Sequence, residues 1–388
     1  MSTQHTEKPV NVGFVGLSPT GWAAATLAPA LLHPNLEGKF KLVAISNSSA
    51  ASSTAAAEKY GKEAGNRVNA YHGSTAQIAS DPDVDLVVVS VKAPMHKELA
   101  LPVIEQGKDI FIEWPAGRTF EETLEIAEAA KKKGVKTIVN LQARNSLVMR
   151  KVKDLIDSGA IGKVRSATSI MVGPREDGLW SPYITGHYKY TVDKASGATA
   201  LIIPIGHQLD AFTFILGHFT SITASASRQY PTSTVLDHNG NPTDEILTTN
   251  TPDQYTFSGP LTSGAHATIM WRGGVRKTKG RKLLQWEIEG DEGLIRIESE
   301  RAPWVQMANP DVYLNGERVE IEGLSSVLHP EAAFAEPVGI QIQSWKEIAK
   351  GPEVGRYATI DDAVKNRRIL EAVEKSAAEG VTVHLKSL

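Results

Sequence analysis

Residues 10–27 read VNVGFVGLSPTGWAAATL, and this stretch decides the fold. Its first half, 10–17, is the mostly apolar run of a buried strand that breaks into a glycine-containing turn. Gly21 then opens an apolar helix that runs to Leu32. The turn itself, Gly16-Leu17-Ser18-Pro19-Thr20-Gly21, is a G-x-S-x-x-G form of the dinucleotide fingerprint. Gly16 permits the tight turn and Gly21 allows close helix packing. The N–H groups at the helix start would hold a pyrophosphate. Ser18 stands where a middle glycine is usual, so the backbone sits slightly further from a phosphate while a hydroxyl donor is gained. An ordinary strand-to-helix turn is the alternative reading. The position of the turn, after the first strand of a βαβ unit, favours the dinucleotide.

Outward from this turn the chain alternates strands and helices. Strands are expected at 41–46, 85–91, 109–113 and 135–141, with helices at 50–60, from Pro94 to Gly107, and from Thr119 to Lys133. Thr119 with Glu122 forms a capping box, and Gly134 stops that helix. Such alternation with short connections predicts a doubly wound parallel sheet, a Rossmann domain over residues 1–148. The pattern then changes. A helix from Leu147 to Ser158 and a strand from Val164 to Met171 lead into 172–196, which is rich in Gly, Pro, Trp and Tyr and reads as a long loop or lid. A helix at 197–216 follows. Alternating segments SITASAS, QYTFSG, AHATIMWRG, LLQWEIEG and LIRIES then predict a large open, mostly antiparallel sheet. Residues 149–388 are thus expected to form an α+β domain serving substrate binding and oligomerisation. Its final helix, about 361–379, is expected to pack back near the N-terminal domain.

Composition limits the function. Among 388 residues, 41 Lys and Arg against 44 Asp and Glu give a net charge of −3, which argues against direct nucleic-acid or membrane-surface binding. Cysteine is absent, so disulfides, thiolate metal ligands and cysteine nucleophiles are excluded. The 11 histidines show no H-E-x-x-H or similar spacing, and no G-x-S-x-G elbow follows a strand; neither a metal site nor a serine hydrolase is expected. The opening MSTQHTEKPV lacks the apolar run of a secretory signal, and no stretch is long enough to span a bilayer. A soluble, cytoplasmic protein is the expectation.

The end of the second strand should read the ribose of a dinucleotide. It carries Ser46-Asn47-Ser48-Ser49 with no carboxylate. An acid there would bind two ribose hydroxyls and repel a 2′-phosphate; Asn47 and Ser48 remove that repulsion, which points to NADP, with NAD still possible.

The fingerprint, the segment at 83–89, His96, the Glu113-x-Pro115 turn, Gly159-x-Ile161-Gly162 and Gly206-His207-Gln208-Leu209-Asp210 together resemble the Gfo/Idh/MocA oxidoreductases, from about residue 10 to the final helix. The resemblance implies a Rossmann domain joined to an α+β domain whose sheet often makes homodimer or higher oligomer contacts. It also implies hydride transfer between nicotinamide and a small molecule such as a sugar or polyol. Two departures stand out. The family's turn is E-K-P with a catalytic lysine, whereas this chain has Trp114 there. The family commonly places an aspartate four residues before the helical histidine, and here that residue is Ile203. Ser90-Val91-Lys92, Glu113-Trp114, Leu141 to Arg144 and Gly206-His207 are similar to the Gal80-like branch, whose named member is a fungal transcriptional repressor that binds a dinucleotide.

The candidate site follows from these residues. Gly16, Ser18, Thr20, Gly21 and Trp22 would hold the cofactor at the turn, and Asn47 and Ser48 at the ribose. Val91, Lys92, His96, Glu113, Trp114 and Arg144 would line the remaining strand ends. His207 is the candidate proton donor, because the resemblance aims it at the nicotinamide; an ordinary imidazole would exchange protons near pH ~6.5. Asp210 could orient it. Lys92 and Tyr188, with Tyr190 beside it, are the other catalytic candidates. Each also has a plain structural reading as core, loop or packing residue. The substrate expected is a small carbonyl, imine or alcohol. The rival is a dinucleotide-binding regulator, nuclear rather than cytoplasmic, that takes an acidic segment on the basic run Arg276 to Lys282.

Overall fold

The computed structural model describes residues 8–19, 21–324 and 335–385. Two compact units emerge, one from Met1–Asn145 with Ser325–Asp361, the other from Ser146–Leu324 with Asp362–Leu388.

In the first unit, β1 (Val10–Val15), β2 (Phe40–Asn47), β3 (Asn69–His72), β4 (Leu86–Val89), β5 (Asp109–Glu113) and β6 (Thr137–Asn140) form one sheet in the order β3-β2-β1-β4-β5-β6. Every pairing is parallel. This is the expected doubly wound sheet. Strand order reverses between β1 and β4, so the crevice at their carboxyl ends is where such sheets bind ligands. β4 is buried along its whole length, which explains its continuous Leu-Val-Val-Val run. The helix Phe120–Lys133 is capped as expected: Thr119 Oγ1 accepts from the Glu122 N–H at 3.2 Å, and Gly134 ends it in the left-handed region. The Glu122 carboxylate, however, reaches the Arg118 N–H at 2.8 Å rather than that of the cap residue itself.

The helix Ala335–Ile348 returns to this unit from far along the chain. Its Trp345 is fully buried, stacked on Phe111 with ring centres 5.4 Å apart and edge-on to Phe40 at 4.8 Å. A division into 1–148 and 149–388 therefore does not describe the packing, because the core of the first sheet is completed by this later helix. The final helix, Ile360–Glu379, starts in the first unit, where the Ile360 N–H donates to Thr137 Oγ1 of β6 at 3.1 Å, and runs on into the second. Its Asn366 amide donates to the Gly206 carbonyl at 2.9 Å, and Ser376 Oγ accepts from the Ala224 N–H at 2.7 Å, both within the second unit.

The second unit contains β7 (Val164–Pro174), β8 (Tyr183–Thr185), β9 (Ser221–Ser227), β10 (Thr232–Leu236), β11 (Pro242–Thr248), β12 (Gln254–Pro260), β13 (His266–Val275), β14 (Leu284–Gly290), β15 (Leu294–Ser299), β16 (Asp311–Leu314), β17 (Glu317–Arg318) and β18 (Val383–His384). Nine of these form a sheet in the order β17-β16-β15-β14-β7-β13-β12-β9-β18, and β11-β10-β8 form a small separate one. Only β7 with β13 is parallel in the large sheet; the rest is antiparallel. Its inner face buries Phe257, Trp271 and Trp286, and Phe212 from the helix Gly206–Leu216 stacks on Trp286 at 5.3 Å. Residues 172–196 are less irregular than expected, holding the end of β7, β8 and three short 3₁₀ turns. No helix among the described residues is long and apolar enough to cross a membrane.

Candidate functional site

The glycine turn is held from behind. The Gly16 N–H donates to the Ser46 carbonyl at 2.9 Å, Asn47 Nδ2 to the Leu17 carbonyl at 3.0 Å, and the Tyr60 hydroxyl to the Ser18 carbonyl at 3.2 Å. Gly16 has φ +91°, and a Cβ there would stand 2.6 Å from Val91 Cγ1 and 2.8 Å from the Ser90 carbonyl oxygen. The next loop presses directly on it. Gly21, at φ +102°, differs from its expected role: a Cβ would meet nothing closer than Ser18 Oγ at 3.9 Å. Its conformation demands glycine, not helix packing, and the space beside it is open. Trp22 begins the helix Ala23–Leu27, a wide π turn that continues as Ala28–Leu31, and no side chain caps it. An open cradle beside an uncapped helix start fits a pyrophosphate. Thr20 lies outside the described residues.

At the end of β2, the Asn47 amide is already engaged. Nδ2 donates to Leu17 O and, at 3.3 Å, to Ser52 O, while the Asn47 N–H donates to Ser53 Oγ at 3.0 Å. Asn47 thus braces the glycine turn. Ser49 caps the helix Ala50–Ala64 by accepting from the Ser52 N–H at 3.2 Å, and Ser48 is exposed beside it.

The carboxyl ends of β4, β5 and β6 bring the other candidates together. Val91 touches the Gly16 position, and Lys92 follows it, exposed. His96 is buried with Nε2 2.9 Å from the Val91 carbonyl and Nδ1 2.7 Å from the Pro115 carbonyl. Both ring nitrogens face backbone carbonyls, and the ring, kept neutral because burial pulls its pKa below the ordinary value, donates to one of them, so His96 positions loop backbone rather than contacting a ligand. Trp114 is buried and precedes a cis Trp114–Pro115 bond. Arg144 is buried in the turn Gln142–Asn145. Glu113 is half-buried, accepts from Asn140 Nδ2 at 2.8 Å and from the side chain of Trp22, and burial pushes its carboxyl up to about 7. The sequence does not single out Asn140 or Tyr60. Asn140 carried one usable signal, a polar residue at the carboxyl end of a strand in a doubly wound sheet.

In the second unit, His207 lies in the first turn of the helix Gly206–Leu216, buried, with Nδ1 lacking a hydrogen-bond partner among the described residues. Burial pushes its pKa down to about 3, so it is a neutral imidazole throughout the physiological range and not the near-neutral acid expected of an exposed histidine. Asp210 is buried one turn further on. Ile203 precedes in a π turn, Leu201–Ile205, that contains Pro204. Tyr188 and Tyr190 share the 3₁₀ stretch Gly186–Val192. Burial raises both phenols, Tyr190 to about 12. Among the described residues no group of three or more His, Asp or Glu side chains is arranged to hold a metal.

Comparison with known proteins bears on the family and the fold. Residues 10–141 match the Gfo/Idh/MocA description "Oxidoreductase family, NAD-binding Rossmann fold", and residues 148–299 match "Gal80p, C-terminal domain". The dehydrogenase AclE of Aspergillus oryzae is 31% identical over 96% of this chain and 97% of its own. The galactose/lactose metabolism regulatory protein GAL80 of Kluyveromyces lactis is 29% identical over 81% of this chain and 69% of its own. The crystal structure of a super-repressor mutant of Gal80p from Saccharomyces cerevisiae superposes with a TM-score of 0.85 at 24% identity, covering 97% of this chain and 98% of that one. The chain belongs to the Gfo/Idh/MocA oxidoreductase family, in its Gal80-like branch.

Proposed function

We propose that this protein is a nicotinamide-dinucleotide oxidoreductase with an atypical site, acting on a small carbonyl, imine or alcohol. The open cradle at Gly21, before the uncapped start of the helix Ala23–Leu27, carries this reading, and the AclE-like dehydrogenase relationship supports it. The bound nicotinamide supplies or accepts the hydride. The chain's own residues do the rest. The N–H groups at that helix start hold the pyrophosphate, Trp114 walls the site, and the Lys92 ammonium offers positive charge to a developing alkoxide. His207, neutral, hydrogen-bonds the substrate oxygen. Tyr188 is the second candidate for the proton, since its raised pKa keeps the phenol protonated.

We further propose a preference for NADP over NAD. No carboxylate stands at the end of β2, and because the Asn47 donors are engaged on backbone carbonyls, the exposed Ser48 hydroxyl is the group left to meet a 2′-phosphate. Calorimetric titration with both dinucleotides tests cofactor class and preference together. NADP should bind more tightly in the wild type, and Ser48→Asp should reverse the order by repulsion, with a loss of NADP affinity of about tenfold or more. Tighter NAD binding by the wild type would refute the preference; silence with both would refute the oxidoreductase.

The match to the Gal80p C-terminal domain favours one rival, a cytoplasmic or nuclear regulator that binds the dinucleotide without turnover. Its proposed contact for an acidic segment, the run Arg276 to Lys282, is partly engaged already. Lys282 pairs with Glu298 at 2.8 Å and Glu300 at 3.0 Å, and the Lys277 N–H donates to Glu176 at 2.9 Å. A screen of small carbonyls, imines and sugars that finds single-turnover hydride transfer decides for the enzyme. For assembly we propose a homodimer or higher oligomer through the outer face of the large sheet, where Thr256, Met270, Ile170 and Gln285 stand in one row across four strands. Ile170→Arg should then lower the mass measured by light scattering to that of the monomer.

A further inference from the structure

The Trp22–Glu113 contact joins two elements that are not neighbours in the sheet. Trp22 follows β1 and Glu113 ends β5, with β4 between them, so this hydrogen bond crosses the carboxyl end of β4 at the point where strand order reverses. Asn140, at the end of β6, holds the same carboxyl from the other side. We propose that Glu113 is the proton-exchanging residue of the dinucleotide crevice, and that binding a dinucleotide there takes up a proton onto its carboxyl.

The argument rests on the dinucleotide reading above and on three features of the site. The carboxyl is half-buried. Its hydrogen-bond partners are the uncharged Trp22 and Asn140, and the titratable groups on the adjoining strand ends are Lys92, His96 and Arg144. Burial alone therefore opposes its ionisation, which places its titration near neutrality. A dinucleotide in the crevice would strip remaining water from the carboxyl and add phosphate charge of the same sign, and both changes favour the protonated acid. Asn140 is able to serve either form. Nδ2 donates to the carboxylate, while Oδ1 is buried with no partner among the described residues, so an amide turned end for end would accept from the acid's O–H. The proton comes from solvent and returns to it on release; no other bond is made or broken.

Calorimetry of NADP and NAD binding near pH 7.5, repeated in two buffers of different ionisation enthalpy, reads the proton directly. Wild type should take up a substantial fraction of one proton, and its Kd should rise about threefold to tenfold between pH 6 and pH 8. Glu113→Gln should bind with no proton uptake and little pH dependence. Trp22→Phe, which removes a donor that favours the carboxylate, should move the linkage to higher pH. Binding without proton uptake, or uptake that survives in Glu113→Gln, overturns this proposal and leaves the dinucleotide reading standing. Failure of the wild type to bind either dinucleotide at any pH overturns both. Thermal melts without ligand give a second readout. A raised carboxyl stabilises the fold below its ordinary pKa and that contribution is lost as pH rises through about 7, so Glu113→Gln should gain stability over wild type at pH 8 but not at pH 4.5. No gain at pH 8 overturns the proposal.

Discussion

His207→Ala should lower the single-turnover rate of hydride transfer by about 10²–10³, the usual cost of removing one positioned hydrogen-bond donor to a developing charge. Dinucleotide affinity should stay nearly constant, because the proposed role of His207 is on the substrate oxygen and that of the glycine turn on the phosphates. Its pKa near 3 sharpens the expectation. A histidine so buried contributes as a neutral ring, so the wild-type rate should show no acid limb near pH 6.5. If such a limb is present and vanishes in His207→Ala, the neutral-imidazole role is wrong. The same burial predicts acid sensitivity. The lowered pKa gives stability that is complete above the ordinary histidine range and is lost as pH falls from about 6.5 towards 3, because the unfolded chain takes up a proton that the folded one refuses. His207→Gln should therefore lose less stability than wild type between pH 6.5 and pH 4. An unchanged turnover rate in His207→Ala would transfer the proton role to Tyr188 or Lys92.

Gly16→Ala and Gly21→Asp should both abolish dinucleotide binding, through different physics. At Gly16 the left-handed backbone costs a side chain on the order of 1–2 kcal/mol, before the contacts of 2.6 and 2.8 Å with Val91 and Ser90 are relieved. The alanine variant should lose several degrees of Tm along with its ligand. At Gly21 there is room for a side chain, so the damage is mainly electrostatic. A carboxylate about 4 Å from a phosphate at an effective dielectric near 20 opposes binding by about 4 kcal/mol, roughly a thousandfold. Titration calorimetry beside thermal melts separates the cases. A Gly16→Ala protein that melts like wild type, or a Gly21→Asp protein that binds like wild type, would contradict this account of the turn.

The fold was most legible where burial forces a simple pattern. The segments 109–113, 221–227 and 294–299 are strands to the residue, because their apolar positions either run continuously or alternate. Asn69–His72 escapes such reading, since a short strand with alternating half-exposed residues carries no apolar signal. So does Pro242–Thr248, which is exposed at nearly every position. The helix Ala335–Ile348 is hidden for the opposite reason. It is buried on almost all sides, so no polar stripe marks its period. In the site, Gly16, Gly21, Asn47, Glu113 and His207 stand out from local motif alone. Their chemistry does not. The titration of Glu113 depends on Asn140 and Trp22, 27 residues ahead and far behind in sequence, and the lowered pKa of His207 depends on packing around its ring. His96 shows the converse: its spacing suits a ligand contact, but both its nitrogens face backbone carbonyls.

The late helix that carries Trp345 has a consequence for biosynthesis. Phe40 and Phe111 emerge from the ribosome long before the indole that covers them, with every strand of the large mixed sheet except β18 made in between. The nucleotide-type unit is therefore completed late, although its first strand is made first. A nascent chain stalled after Asn145 would present an uncovered aromatic patch, the kind of surface that chaperones recognise and that drives aggregation. Genetic dissection at that boundary would yield a fragment missing part of its own core.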